Sequence, residues 1–146
     1  MVKKRRKHIL VETDILISAI DLADPHHEEA KEIIASMGNM ALSPYTLMEL
    51  NLLIRSGNIV VKNYELFWKE LWNIARFYDI DLMTPHPLYH AKAGELRERY
   101  NLTYFDSLHA STAIVEEMKL VSFDRKAYEK IKELSYVHPM DYLRGK

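Results

Sequence analysis

The chain has 146 residues, 48% of them hydrophobic and 28% charged, which is the composition of a globular domain long enough to bury one substantial core. Lys and Arg number 20 against 21 Asp and Glu, so no overall basic excess marks a nucleic-acid partner; only the tip at residues 1–7, with Lys3-Lys4-Arg5-Arg6-Lys7, gathers positive charge, for phosphate contact or for solvation. The absence of cysteine excludes a disulfide framework, thiolate zinc sites and a cysteine nucleophile, and no apolar run approaches the ~18 residues of a membrane span. A soluble, intracellular, cytoplasmic protein is expected.

Residues 8–13 read as a strand and 14–22 as the start of a helix, after which Pro25 opens a second helix to about Met37. Met40 to Ser43 is a short apolar strand, followed by Pro44 and a helix from Tyr45 to Arg55 closed by Gly57. Helical spacing of Tyr64, Phe67, Trp68, Leu71, Trp72, Ala75 and Tyr78 predicts a helix over 64–78. Its aromatic stripe is read as core packing, with a dimer or partner groove as the alternative. Then come a strand at 80–83, helices at 88–100 and 104–118, a strand at 120–122, a helix at 125–134 and a last strand at 136–138. Strands alternating with helices need crossovers, so the class is α/β, with one mainly parallel sheet of four to five strands covered by helices on both faces. Residues 1–146 are expected to form a single domain.

In such sheets, side chains at the carboxyl ends of strands meet where strand order reverses. Glu12 and Asp14 end the first strand, and Asp124 follows Val121-Ser122. Asp14 and Asp124 each precede a helical run and fit helix caps, and Thr103-Tyr104-Phe105-Asp106 resembles a capping box. Glu49 stands in Thr46-Leu47-Met48-Glu49-Leu50-Asn51-Leu52-Leu53-Ile54, a helix apolar on most of its circumference. A buried carboxylate there needs a partner, either a cation or a salt bridge to Arg55 or Arg76.

Four glycines leave no room for a Gly-rich phosphate loop or a nucleophile elbow. His86 and His90 have the i, i+4 spacing of a zinc pair, but no glutamate follows His86 and Pro87 suggests a helix start. His26-His27 are placed on a solvated helix N-terminus, and His109 is expected to pack within its helix.

Four ordered segments resemble the motifs of PIN domains, in particular the VapC-like toxin ribonucleases: Val11-Glu12-Thr13-Asp14-Ile15-Leu16-Ile17, Leu42-Ser43-Pro44-Tyr45-Thr46-Leu47-Met48-Glu49-Leu50, Tyr104-Phe105-Asp106-Ser107-Leu108-His109-Ala110 and Leu120-Val121-Ser122-Phe123-Asp124-Arg125-Lys126. The resemblance implies that Glu12, Glu49, Asp106 and Asp124 gather around Mg2+ or Mn2+, with Asp14 a further ligand and Thr13 and Ser122 in support. The family's usual residue at position 12 is aspartate, so glutamate is a departure, and Asp14 is the alternative ligand.

By this resemblance the chain is a metal-dependent ribonuclease that hydrolyses RNA phosphodiesters through a metal-activated water, and the toxin of a VapBC-type pair with a homodimeric state and an antitoxin partner. All-oxygen ligation suits magnesium or manganese. Arg97, Arg99 and Lys126 are candidate RNA contacts. The alternatives are a non-catalytic RNA- or protein-binding module of the same fold, an RNA-processing nuclease without antitoxin, and a phosphohydrolase working through an aspartyl intermediate at Glu12-Thr13-Asp14.

Overall fold

The computed structural model describes residues 7–145, so the basic run Lys3 to Arg6 lies outside the described residues. Lys7 turns back along the sheet, where its Nζ donates to the Asp79 carbonyl and carboxylate.

Strands β1 (Ile9–Val11), β2 (Met40–Leu42), β3 (Asp81–Leu82), β4 (Lys119–Val121) and β5 (Ser135–Val137) make one all-parallel sheet in the order β3-β2-β1-β4-β5. Ile-Leu-Val and Met-Ala-Leu are uninterrupted apolar runs because both faces of a parallel sheet are covered. Side chains alternate between faces, and the core divides accordingly. Val11, Met40, Leu42 and Val121 pack with Ile15, Leu16, Ile33 and Leu71. Leu10, Ala41 and Leu120 pack on the other side with Leu96, Ala110, Ala113 and Tyr128. Each fully buried Leu or Ile in these layers contributes about 2 kcal/mol by the area it removes from water.

The first layer is built by α1 (Thr13–Ile20), α2 (His27–Ser36) and α4 (Tyr64–Phe77), with Leu50 of α3 (Thr46–Arg55); the second by α5 (Pro87–Tyr100), α6 (Tyr104–Val115) and α7 (Arg125–Tyr128). A final α8 (Pro139–Leu143), absent from the sequence reading, starts at Pro139, where the missing N–H is of no consequence and His138 Nδ1 accepts from the Met140 N–H. The chain steps from β1 to β2 and β3 on one side, then returns to place β4 and β5 on the other. The strand order therefore reverses between β1 and β4, and the crevice at their carboxyl ends receives the side chains that follow both.

Several elements depart from the sequence reading. Helix α2 begins at His27, two residues after Pro25, because Asp24 Oδ1 accepts from the His26 N–H and makes a turn first. The expected helix over 125–134 ends at Tyr128; Ile131 still reaches the core through turns in which its N–H donates to the Tyr128 carbonyl. Helix α6 ends at Val115, and Glu117 turns the chain into β4 with a φ of 55°.

Helix α3 is not deep in the fold: it buries Thr46 and Leu50, while Leu47, Met48 and Leu52 are exposed. The aromatic stripe of α4 is likewise not wholly core. Leu71 and Ala75 are buried, whereas Tyr64 and Trp72 are about half exposed, at 50% and 53%.

Candidate metal and catalytic site

The crevice assembles from four segments. As β1 ends, the Glu12 N–H still donates to the Val121 carbonyl of β4 at 3.0 Å, and Glu12 then becomes the N-cap of α1, its Oε1 accepting a long 3.4 Å bond from the Asp14 N–H. Asp14 sits in the first turn of α1 and reaches across to the end of β4. There its Oδ2 accepts from Ser122 Oγ at 2.8 Å and from the Phe123 N–H at 3.0 Å. Ser122 Oγ also lies 3.1 Å from Glu12 Oε2 and accepts from the Asp124 N–H at 3.0 Å. Tyr136 Oη, donating to the Ser122 carbonyl, ties this turn to β5. One hydroxyl proton thus stands between two carboxylates and can satisfy only one of them.

On the opposite wall, Glu49 in the first turn of α3 meets His109 of α6, with Nε2 2.9 Å from Glu49 Oε1 and 3.8 Å from Glu12 Oε1. The imidazole is fully buried and its Nδ1 lies 2.6 Å from Ser43 Oγ. Thr13 Oγ1 lies 3.4 Å from the same Nε2 and donates to Thr46 Oγ1. Asp106, in the first turn of α6, accepts from Tyr128 Oη at 3.2 Å, while Asp124 caps α7 by accepting from the Ala127 N–H at 3.0 Å.

Burial raises the Glu12 carboxyl well above its ordinary range, and the charges of Asp14, Glu49 and Asp106 push it the same way, against the Ser122 hydrogen bond. Asp14 is raised to about 6, by burial first, with Asp124 adding and the Ser122 and Phe123 bonds opposing. Burial also raises Asp106. Glu49 moves the other way: burial lifts it, but the hydrogen bond and charge of His109 outweigh that and leave it low. Tyr128 is held well above its usual range by burial and the surrounding acids.

Among the described residues no Lys or Arg forms an ion pair with Glu12, Asp14, Glu49, Asp106 or Asp124, and the buried Asp14 Oδ1 has no hydrogen-bond partner. A buried, orphaned carboxylate oxygen among further acids is the donor chemistry of a hard divalent cation. Ligand atoms of Glu12, Glu49 and His109 lie within 4.8 Å of one another, close enough for one ion.

Of the acids singled out in the sequence, Glu12 and Glu49 share a three-residue group with His109, whereas Asp14, Asp106 and Asp124 lie around that group, near enough to repel Glu12 or one another but outside it. The cap attributed to Asp14 belongs to Glu12, because the helix starts at Thr13 and not at Ile15; the cap at Asp124 is present. Glu49 bonds neither Arg55 nor Arg76, both exposed, but His109. His109 itself, expected to pack within its helix, turns into the site. The only cue was its spacing: three residues after Asp106 returns a helical side chain to the same face one turn deeper.

His26 is exposed as expected, but His27 is buried, its Nδ1 2.9 Å from the Ser18 carbonyl. His86 caps α5, its Nδ1 accepting from the Leu88 N–H, while His90 sets its ring against Tyr45; neither joins a metal-binding group among the described residues.

The candidate RNA contacts differ in their surroundings. Arg97 Nη1 donates to Ser107 Oγ at 2.8 Å, with its guanidinium over the Tyr104 ring, so it contacts residues one after and two before Asp106. Arg99 pairs with Glu95 and Glu133. Lys126 is exposed on α7.

The chain thus folds as a parallel α/β sheet with carboxylates gathered beyond the ends of β1 and β4. A family model described as "PIN domain" matches residues 9–134, and the chain belongs to this family. No curated protein matches the sequence. Solved structures with the same fold include VapBC2 from Rickettsia felis bound to a promoter DNA fragment, at 22% identity and TM-score 0.70 over 89% of this chain and 97% of that one. FitAcB from Neisseria gonorrhoeae follows at 16% identity and TM-score 0.69, over 90% and 98%. PAE2754 from Pyrobaculum aerophilum covers 97% of each chain at 18% identity and TM-score 0.66.

Proposed function

We propose that this PIN domain is a metal-dependent endoribonuclease and the toxin of a VapBC-type pair. The observation that carries the reading is the convergence of Glu12, Asp14, Glu49, Asp106 and Asp124 from four separate segments, with one buried oxygen left unbonded and, among the described residues, no Lys or Arg paired to them. Separate helix caps and salt bridges would not need to share one crevice. Membership of a family whose members are generally nucleases supports it.

Mg2+ or Mn2+ held by these carboxylates would neutralise the approach of a phosphodiester and acidify a water. The chain's own groups bind and orient. Ser122 sets the Glu12 and Asp14 carboxylates side by side, His109 fixes Glu49, and Tyr128 fixes Asp106. The hydroxyls of Thr13 and Ser122 are engaged with these groups, which leaves solvent water as the nucleophile. Water oxygen adds to phosphorus, the ester P–O bond breaks, and the departing ribose oxygen takes a proton.

RNA fits the rim. Phe123, whose N–H bonds Asp14, stacks on the exposed His26 ring at 4.5 Å and meets His138 edge-on, offering a flat surface for an unstacked base. Arg97, Arg99 and Lys126 are the proposed phosphate contacts. The half-exposed Tyr64 and Trp72 of α4, with Leu47, Met48 and Leu52 of α3, are the surface proposed for a homodimer or antitoxin. A similar solved structure from Klebsiella pneumoniae, described as a toxin–antitoxin complex, supports an antitoxin here, as a small open reading frame beside this one would.

A binding module that does not cut is the second reading, favoured by glutamate at position 12. A labelled RNA pool incubated with Mg2+, Mn2+ or chelator, beside an Asp106→Asn variant matched for fold by circular dichroism, decides between them. Metal-dependent cleavage lost in the variant supports the nuclease; RNA bound but uncut under both metals makes it the module.

A further inference from the structure

We infer that His109 is a nitrogen ligand of the proposed cation, so that the site takes first-row transition dications such as Mn2+ in preference to Mg2+; this rests on the metal-dependent reading above. The donors are in place. Nε2 of His109 lies 2.9 Å from Glu49 Oε1 and 3.8 Å from Glu12 Oε1, and the ligand atoms of all three residues fall within 4.8 Å of one another. Cis ligands about 2.1 Å from an octahedral ion are themselves about 3 Å apart, so these spacings suit one ion.

The imidazole is aimed by what holds its other nitrogen. Nδ1 is 2.6 Å from Ser43 Oγ; in the metal-free chain Nε2–H donates to Glu49 Oε1, and on binding the ion Nε2 gives up that proton while Nδ1–H donates to Ser43 Oγ. A histidine that ligates metal through one nitrogen and gives its other N–H to a fixed oxygen is the usual arrangement of such sites. The ring is fully buried, so water does not compete for Nε2 from outside. Asp14 Oδ1, buried and unbonded on the opposite wall, is an independent sign that a cation completes the crevice.

Glutamate at position 12 becomes intelligible in this light. Its extra methylene carries Oε1 toward His109, where the shorter aspartate usual at this position would stop short. Mixed imidazole and carboxylate donors favour a borderline transition ion over hard, strictly octahedral Mg2+, which seeks oxygen alone.

The experiment is electron spin echo envelope modulation of the whole protein loaded with Mn2+, with Mn2+ and Mg2+ affinities measured by calorimetry. An imidazole 14N coupling to Mn2+ is expected in the native protein and lost in His109→Gln, with Mn2+ affinity falling about tenfold or more and Mg2+ affinity changing less. Bound Mn2+ without 14N coupling, or coupling that survives in His109→Gln, overturns the inference while leaving a metal-dependent nuclease standing. Mn2+ that does not bind at all overturns both. Because the native protein alone shows or lacks the coupling, the result does not hang on the variant folding.

Discussion

Ser122 carries more than its size suggests. Its one hydroxyl proton stands between Glu12 Oε2 and Asp14 Oδ2, and can serve only one of these two carboxylates that burial already drives upward in pKa. In Ser122→Ala they face each other without a mediator. The expected outcome is a metal affinity lower by about 10- to 100-fold, read by calorimetry, with little change in the circular dichroism spectrum.

The same carboxylates set a pH dependence. Asp14 titrates at about 6 in the folded chain against an ordinary 3.8, chiefly through burial, and Glu12 is raised as well. Between those values the folded state holds protons that the unfolded state has lost. The stabilisation from Asp14 is full below pH 4 and disappears as pH rises through 6, and Glu12 acts in the same direction. The melting temperature of the metal-free protein, setting other groups aside, should therefore climb as pH falls from 7 to 5. Saturating Mg2+ or Mn2+ should raise it most at pH 7 and flatten the slope, since a bound cation takes over the compensation the protons provide. A metal-free melting temperature that falls steadily over that range would contradict the assignment.

At the scale of elements, α4 separates two roles along one helix. Leu71 is buried in the core, so Leu71→Ala should cost about 2 to 5 kcal/mol in chemical denaturation. Trp72, one residue on, is half exposed beside Leu47 and Leu82. Trp72→Lys should leave stability within about 1 kcal/mol yet reduce self-association, measured by light scattering across a concentration series. If the native protein is monomeric throughout, only the proposed antitoxin contact is left for α4. Helix α7 and the turn before it act differently, by presentation: Tyr136 of β5 and the Asp124 cap hold the loop that carries Ser122 and Phe123, so that loop is braced at both ends.

For the whole molecule, near-neutral net charge limits how the proposed RNA substrate is held. With 20 basic against 21 acidic residues there is no net basic excess, and of the proposed contacts Arg99 already pairs with Glu95 and Glu133, which leaves Arg97 and Lys126 without an ion pair among the described residues. RNA binding by Asp106→Asn should show a shallow salt dependence, a log–log slope of about -1 to -2 corresponding to two or three contacts, measured by fluorescence anisotropy. A much steeper slope would place a basic surface elsewhere.

The alternation of apolar strands with amphipathic helices was legible in the chain itself, because β1 and β2 are buried on both faces and betray it by unbroken apolar runs. The acids too were legible, since each follows a strand or opens a helix and their order is a local pattern. The partners of those acids were not. Glu49 sits on a half-exposed helix whose apolar sequence suggested depth, and its bond to His109 spans 60 positions. No local periodicity encodes such a contact. Helix ends also depended on the surroundings: the 125–134 run has helical spacing, but Ile131 reaches the core through turns instead. Sequence by itself determined the sheet, the order of its elements and the acids that reach its carboxyl edge. Only the tertiary structure decided which side chain faces which, because burial, proximity and charge neutralisation arise where distant segments meet.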